Sequence, residues 1–134
     1  MQTGKLHHMS LVTADLGRAI AFYRDKLGFR QISRPPFRSN GAWLESGAIE
    51  IHLIDNPQGT FRASTAIDNG DVHFAIRVGD FEAAMADLQA RGFREDAVDG
   101  DPMAIRINRQ SVTGYPQAYL LDADRHVIEI NAAA

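Results

Sequence analysis

His7-His8-Met9-Ser10-Leu11-Val12-Thr13-Ala14-Asp15 reads as a strand running into the start of a helix. Side chains alternate across a strand, so Met9 and Leu11 face one way while His8, Ser10 and Val12 face the other. Asp15 stands where a helix N-cap belongs, ahead of the periodic run Leu16, Ile20, Tyr23 and Leu27. The pattern returns as Val72-His73-Phe74-Ala75-Ile76-Arg77-Val78-Gly79-Asp80, with the same spacing from histidine to aspartate. Phe74 and Ile76 take the places of Met9 and Leu11, and Asp80 precedes Phe81, Ala84, Met85 and Leu88. Each helix is expected to stop at a Gly-Phe pair, Gly28-Phe29 and Gly92-Phe93, glycine being the usual helix stop. The chain therefore reads as one module written twice, with a histidine at the same point of each copy.

A chain of 134 residues is long enough for one domain with a real core. Its 45% hydrophobic and 23% charged residues are those of ordinary globular protein. A net charge of -3 gives no broad basic surface, which argues against nucleic acid as a partner. The chain has no cysteine, which removes disulfides, thiolate metal sites and cysteine nucleophiles together and fits a reducing compartment. No apolar run approaches membrane-spanning length, and Met1-Gln2-Thr3-Gly4-Lys5 lacks the apolar core of a signal peptide. A cytoplasmic protein with no membrane partner is the expectation.

Working outward, the spacing predicts a strand over 6–12, a helix over 16–27 and a second strand over 29–33. Arg34-Pro35-Pro36-Phe37-Arg38-Ser39-Asn40-Gly41 reads as a loop, because proline cannot donate to a ladder and Asn-Gly turns the chain. Strands over 42–45 and 48–54 follow, joined by a tight turn at Ser46-Gly47. The polar stretch to Gly70 reads as a connection, with a short helix or turn around 61–66. In the second copy, 94–98 reads as a weak strand and 103–109 as an extra or displaced one. A hairpin of 117–121 and 126–131 closes the chain around Asp122-Ala123-Asp124-Arg125. Each module is thus βαβββ, which predicts an α+β fold of two small mixed sheets, each with one helix on one face and a concave polar face opposite. One domain over 1–134 is expected, with module one at 5–55, a linker at 56–70 and module two at 71–132.

Alternation places His8, Ser10, Glu50, His52, His73, Arg77 and Glu129 on the concave faces. Histidines and carboxylates without cysteine suit a divalent metal such as zinc, nickel, iron or manganese. Open coordination positions would then admit water or substrate oxygens. Ser10 either binds a substrate oxygen or fills space beside a ligand. Arg77 either holds a substrate anion or pairs with Glu50 or Asp71. His7 and His126 fall off this face or beside a turn and read as solvated or packing residues.

The stretches His7–Val12 with Asp15-Leu16, Ala21-Phe22-Tyr23-Arg24-Asp25-Lys26-Leu27-Gly28-Phe29, Gly41-Ala42-Trp43-Leu44, Val72-His73-Phe74-Ala75 and Asp122–Ile130 together resemble the vicinal oxygen chelate superfamily. That superfamily includes glyoxalase I, fosfomycin-resistance thiol transferases, methylmalonyl-CoA epimerase and extradiol dioxygenases. The resemblance runs over residues 5–131 and is nearest to an uncharacterised glyoxalase-like group. The closing turn departs from the usual Asp-Pro-Asp-Gly, having Ala123 and Arg125. The resemblance implies that His8, His73 and Glu129 bind one divalent metal, with a fourth ligand from His52 or Glu50 and a lean towards His52. Glu50, or the Glu129 carboxylate released from the metal, would then move a proton. It implies a small substrate with two adjacent oxygens and a lyase, isomerase or thiol transferase reaction of lactoylglutathione lyase type. It further implies a homodimer in which module one of one chain faces module two of the other. The other readings are a ferrous extradiol-type dioxygenase and a metal-free binding protein of the bleomycin-resistance type.

Overall fold

The computed structural model describes residues 1–134. They form two compact units, Met1–Thr60 and Phe61–Ala134. The first unit holds β1 (Met9–Thr13), α1 (Leu16–Asp25), β2 (Arg30–Ile32), β3 (Gly41–Ser46) and β4 (Ile49–Asp55). The second holds β5 (His73–Val78), α2 (Phe81–Ala90), β6 (Ile105–Asn108), β7 (Gln117–Leu121) and β8 (Val127–Ala132). The sheet orders are β1-β4-β3-β2 and β5-β8-β7-β6. In both, the first strand runs parallel to the last and the remaining pairs are antiparallel. The fold is α+β and the module is written twice, as the repeated histidine-to-aspartate stretch predicts. No helix is long and apolar enough to cross a membrane.

The helix starts follow from their caps. Asp15 Oδ1 accepts the backbone N–H of Arg18 at 3.0 Å, and Asp80 Oδ1 accepts that of Ala83 at 3.0 Å. Each satisfies a donor that the first helical turn leaves free. Gly28 and Gly92 take φ of +73° and +106°, the left-handed geometry that ends a helix. Phe29 N–H then reaches back to the Tyr23 carbonyl and Phe93 N–H to that of Leu88. Both phenylalanines are buried, at 3% and 1% exposure, so the turn that ends each helix also seals its core. In the first unit Ala19, Phe22 and Tyr23 pack beneath the sheet with Leu11, Leu44, Ile51 and Leu53. In the second, Phe81, Met85 and Leu88 meet the face bearing Ile105, Leu120, Ile128 and Ile130.

Three local readings are corrected. The first strand opens at Met9, so His8 stands one residue ahead of it and is exposed. Segment 94–98 forms only a single bridge, Arg94 to Ala104, and β6 serves as the module's second strand. The Glu95-Asp96 pair and the following turn give that segment little strand propensity. No helix forms over 61–66. From Phe61 onward the connecting segment is built into the second unit through Arg62. Its Nε donates to Asp71 Oδ2 at 2.7 Å, its Nη2 to the Ala66 carbonyl and its Nη1 to the Arg125 carbonyl, both at 3.0 Å.

Arg125 is the one residue other than glycine with positive φ, at +68°. It stands in the closing turn where glycine is the usual residue, and its Nε returns a hydrogen bond to the Arg62 carbonyl at 3.0 Å. Replacement by glycine relieves about 1–2 kcal/mol of left-handed strain and loses a hydrogen bond worth about 1 kcal/mol. Arg125→Gly is therefore expected to leave stability within about 1 kcal/mol of the parent by thermal unfolding. A much larger loss would show that the Arg62–Arg125 clasp outweighs the strain.

Candidate functional site

The first unit builds its part of the site around His52. The tight turn after Ser46 sets the β3–β4 register, which pairs Trp43 with His52, and the parallel β1–β4 register brings Ser10 opposite His52. All three residues therefore share the face turned away from α1. Trp43 stacks on His52 with ring centroids 3.9 Å apart and planes within 3°, and His8 stacks on the other side at 3.8 Å. His52 is only 6% exposed in this sandwich. Its Nε2 lies 2.8 Å from Glu50 Oε1. That hydrogen bond, with the nearby histidines, outweighs the cost of desolvation and holds the Glu50 carboxyl below the ordinary carboxylate range. His7 is drawn in as well, its Nδ1 2.9 Å from that of His8 and its Nε2 3.8 Å from Glu50 Oε2. A cavity of about 370 Å³ opens here, bordered by His8, Ser10, Arg34, Phe37, Trp43 and His52.

The second unit builds its part around Glu129. The β7–β8 register sets Tyr119 opposite Glu129 and Gln117 opposite Asn131, while β5 brings His73 alongside. Gln117 Nε2 and Asn131 Nδ2 both donate to Glu129 Oε1 at 2.9 Å. Burial pushes the Glu129 carboxyl up. The two amide hydrogen bonds and the neighbouring His73 more than offset this, so the group lies below its ordinary range. Burial, and then the Glu129 charge, push the Tyr119 hydroxyl upward.

Glu129 Oε2 is left facing His73 Nε2 at 3.3 Å. His73 Nδ1 lies 2.8 Å from the Asp71 carbonyl, which only accepts, so Nδ1 donates to it and Nε2 is the ring atom that faces Glu129. The separation of Nε2 and Oε2 is close to the edge of a tetrahedral site, about 3.3–3.6 Å for bonds of about 2.0–2.2 Å.

These donors fit a borderline divalent metal, imidazole nitrogen and carboxylate oxygen with no thiolate. In neither unit do three or more such side chains gather at one point. His73 and Glu129 converge. His8 and His52 lie face to face instead, and the Nε2 of His52 is engaged by Glu50. Arg77 rests on the Tyr115 ring at 4.6 Å and donates to Asn131 Oδ1 at 3.0 Å, while Asp71 is taken by Arg62. His126 stays beside the closing turn, where its backbone N–H donates to Asp122 Oδ1. Trp43, Gln117 and Asn131 were not singled out by the alternation argument. Counting back from the two hairpin turns pairs Trp43 with His52 and Gln117 with Asn131, on the face that carries Glu129, and finds all three.

A family model described as the Glyoxalase/Bleomycin resistance protein/Dioxygenase superfamily matches residues 5–130. The uncharacterised protein YwkD of Bacillus subtilis (strain 168) is 26% identical over 129 residues, covering 93% of this chain and 94% of its own. A glyoxalase family protein from Bacillus anthracis has the same fold, with a TM-score of 0.77 at 17% identity over 100% of this chain and 98% of that one. A lactoylglutathione lyase from Agrobacterium tumefaciens superposes with a TM-score of 0.68 at 19% identity, over 99% of this chain and 96% of its own. The repeated βαβββ module, the histidine at the same point of each copy and the family match over nearly the whole chain agree: this protein belongs to the Glyoxalase/Bleomycin resistance protein/Dioxygenase superfamily.

Proposed function

We propose that the protein is a divalent-metal-dependent enzyme of glyoxalase type, acting on a small substrate with two adjacent oxygens. The observation that carries this reading is the 3.3 Å approach of His73 Nε2 to Glu129 Oε2, each group held in place through its other polar atom. His8 and His52 would complete the ligand set, from the first module of a second copy. When bound, the metal supplies a Lewis acid that stabilises negative charge developing on substrate oxygen.

The remaining roles fall to side chains. Gln117 and Asn131 keep Glu129 Oε1 engaged and so aim Oε2. Glu50, ionised and tied to His52, is placed to accept a proton from the substrate and return it. Ser10, in register with His52, is placed to bind a substrate oxygen, and Arg77 an anionic group. The direct test is elemental analysis of the purified protein, followed by assays with the metal found. Nickel or zinc supports glyoxalase-type chemistry. Ferrous iron supports the dioxygenase reading, for which two histidines and a glutamate are a known ligand set. A protein that takes up no divalent metal would be a binding protein, and the enzyme reading would fall.

Two substitutions separate the candidates for the fourth ligand. His52→Ala is expected to lower metal affinity by about 10-fold or more if His52 binds metal. Glu50→Gln is expected to cut turnover chiefly, with metal content retained. The opposite pattern in equilibrium dialysis would move the ligand assignment to Glu50.

A further inference from the structure

We infer that the cavity of the first unit binds the carboxylate of a small organic acid with a flat, apolar body, and that Arg34 is the residue that grips it. The inference rests on the reading that this face holds the substrate, and it does not depend on the metal. Arg34 opens the loop between β2 and β3 and lies half-buried at the edge of the cavity. Its guanidinium donates through Nη1 to the Ser39 carbonyl at 2.9 Å and through Nη2 to Ser39 Oγ at 3.1 Å. A guanidinium has five N–H bonds, so most of its donor capacity is uncommitted. Nε in particular is shielded from solvent and has no hydrogen-bond partner.

No carboxylate lies within ion-pair distance of Arg34, although the unit's other ion pairs engage Asp25, Glu45 and Glu50. A partly buried cation without a counter-charge is costly unless something anionic meets it. The chain is shaped to keep it there. A Cβ at Gly41 would come within 2.4 Å of the Leu53 carbonyl oxygen and 2.9 Å of Arg34 Nε and Nη2, so glycine at the start of β3 leaves room for the neighbouring strand and for the guanidinium. Ser39 fixes it from one side, and the Phe37 ring lies 4.9 Å from its central carbon.

The rest of the cavity specifies the body of the ligand. Phe37 and Trp43 are 6.1 Å apart between ring centroids, and with Ile54 they give aromatic and aliphatic walls. Ser10 and His52 supply polar atoms on the same border. Arginine binds carboxylate through a charge-assisted pair of hydrogen bonds, which a neutral amide cannot reproduce. The cavity therefore selects an acid over its uncharged analogue.

Trp43 is the chain's single tryptophan and lines the cavity, so its fluorescence reports occupancy directly. Hydrocinnamate and its neutral counterpart hydrocinnamide are the probes, titrated into the wild-type protein with and without prior chelation. Hydrocinnamate is expected to bind at least about 10-fold more tightly than hydrocinnamide, in both preparations. Arg34→Gln, checked for native circular dichroism, is expected to bring the two affinities together, and Arg34→Lys to keep part of the preference. Equal binding of acid and amide to the wild type, no response to either, or an undiminished preference in Arg34→Gln would overturn the inference. A preference present only when metal is bound would also overturn it, since the metal would then be holding the carboxylate. Preference for the acid in a protein that takes up no metal would leave Arg34 in its role and remove the metal reading alone. Should Arg34→Gln not fold, the wild-type comparison and Arg34→Lys still decide.

Discussion

A His73→Ala protein is expected to bind divalent metal more than about 100-fold less tightly than the parent while keeping its fold. Removing a group that only orients a ligand costs about 10–100-fold in affinity, so loss of a ligand itself should exceed that range. The structural cost is small, because His73 is half-buried at the start of β5 and its side chain meets only the Asp71 carbonyl and the Glu129 carboxylate as polar partners. Each such contact is worth about 1 kcal/mol. Gln117→Ala is the internal control. It leaves both proposed ligands in place but removes one of the two donors that hold Glu129 Oε1, so its effect should stay within about 10–100-fold. Competition against a chromophoric chelator measures both variants on one scale. Full metal content in folded His73→Ala would remove His73 from the site, and with it the reading built on its approach to Glu129.

The fold was legible because its signals are local and occur twice. Asp15 and Asp80 mark the helix starts and Gly28 and Gly92 the stops, and the structure shows each in its expected geometry. Alternation correctly set Leu11, Ile51 and Leu53 beneath α1 and left His52 on the opposite face. What it could not give was the environment of each face. A period of two says which way Val127 points, not what covers it. Val127 proves to join Tyr119 and Leu121 in an apolar cluster, with Ile67 from the segment read as a linker packed against it. The polar face of the second unit is therefore partly closed by its own chain. Likewise, periodicity says nothing of ring orientation, so the stack of Trp43, His52 and His8 was invisible in the sequence. Arg34 was legible only as a loop residue. Its orphaned Nε and its seat over Gly41 depend on loop geometry, which composition does not encode.

The arrangement of the proposed ligands leads to a second large effect, on mixed proteins. The converging pair His73 and Glu129 belongs to the second unit, and the stacked pair His8 and His52 to the first. A catalytic metal needs three or four protein ligands, so neither pair suffices alone. If the protein is a homodimer whose first module completes the site of its partner's second module, His8→Ala and Glu129→Ala each damage both sites of their own dimer. Mixing the two and allowing subunits to exchange should place both lesions in one site of each mixed dimer and leave the other site whole. Metal content and activity in the mixed dimers are then expected to return to about half of the wild-type level. Mass-tagged subunits establish that exchange has occurred, and neither variant alone should recover under the same treatment. Each chain carries its own lesion into any site formed within that chain. Proven exchange without recovery would therefore mean that His8 and Glu129 of the same chain serve one metal and that the sites are not shared between subunits.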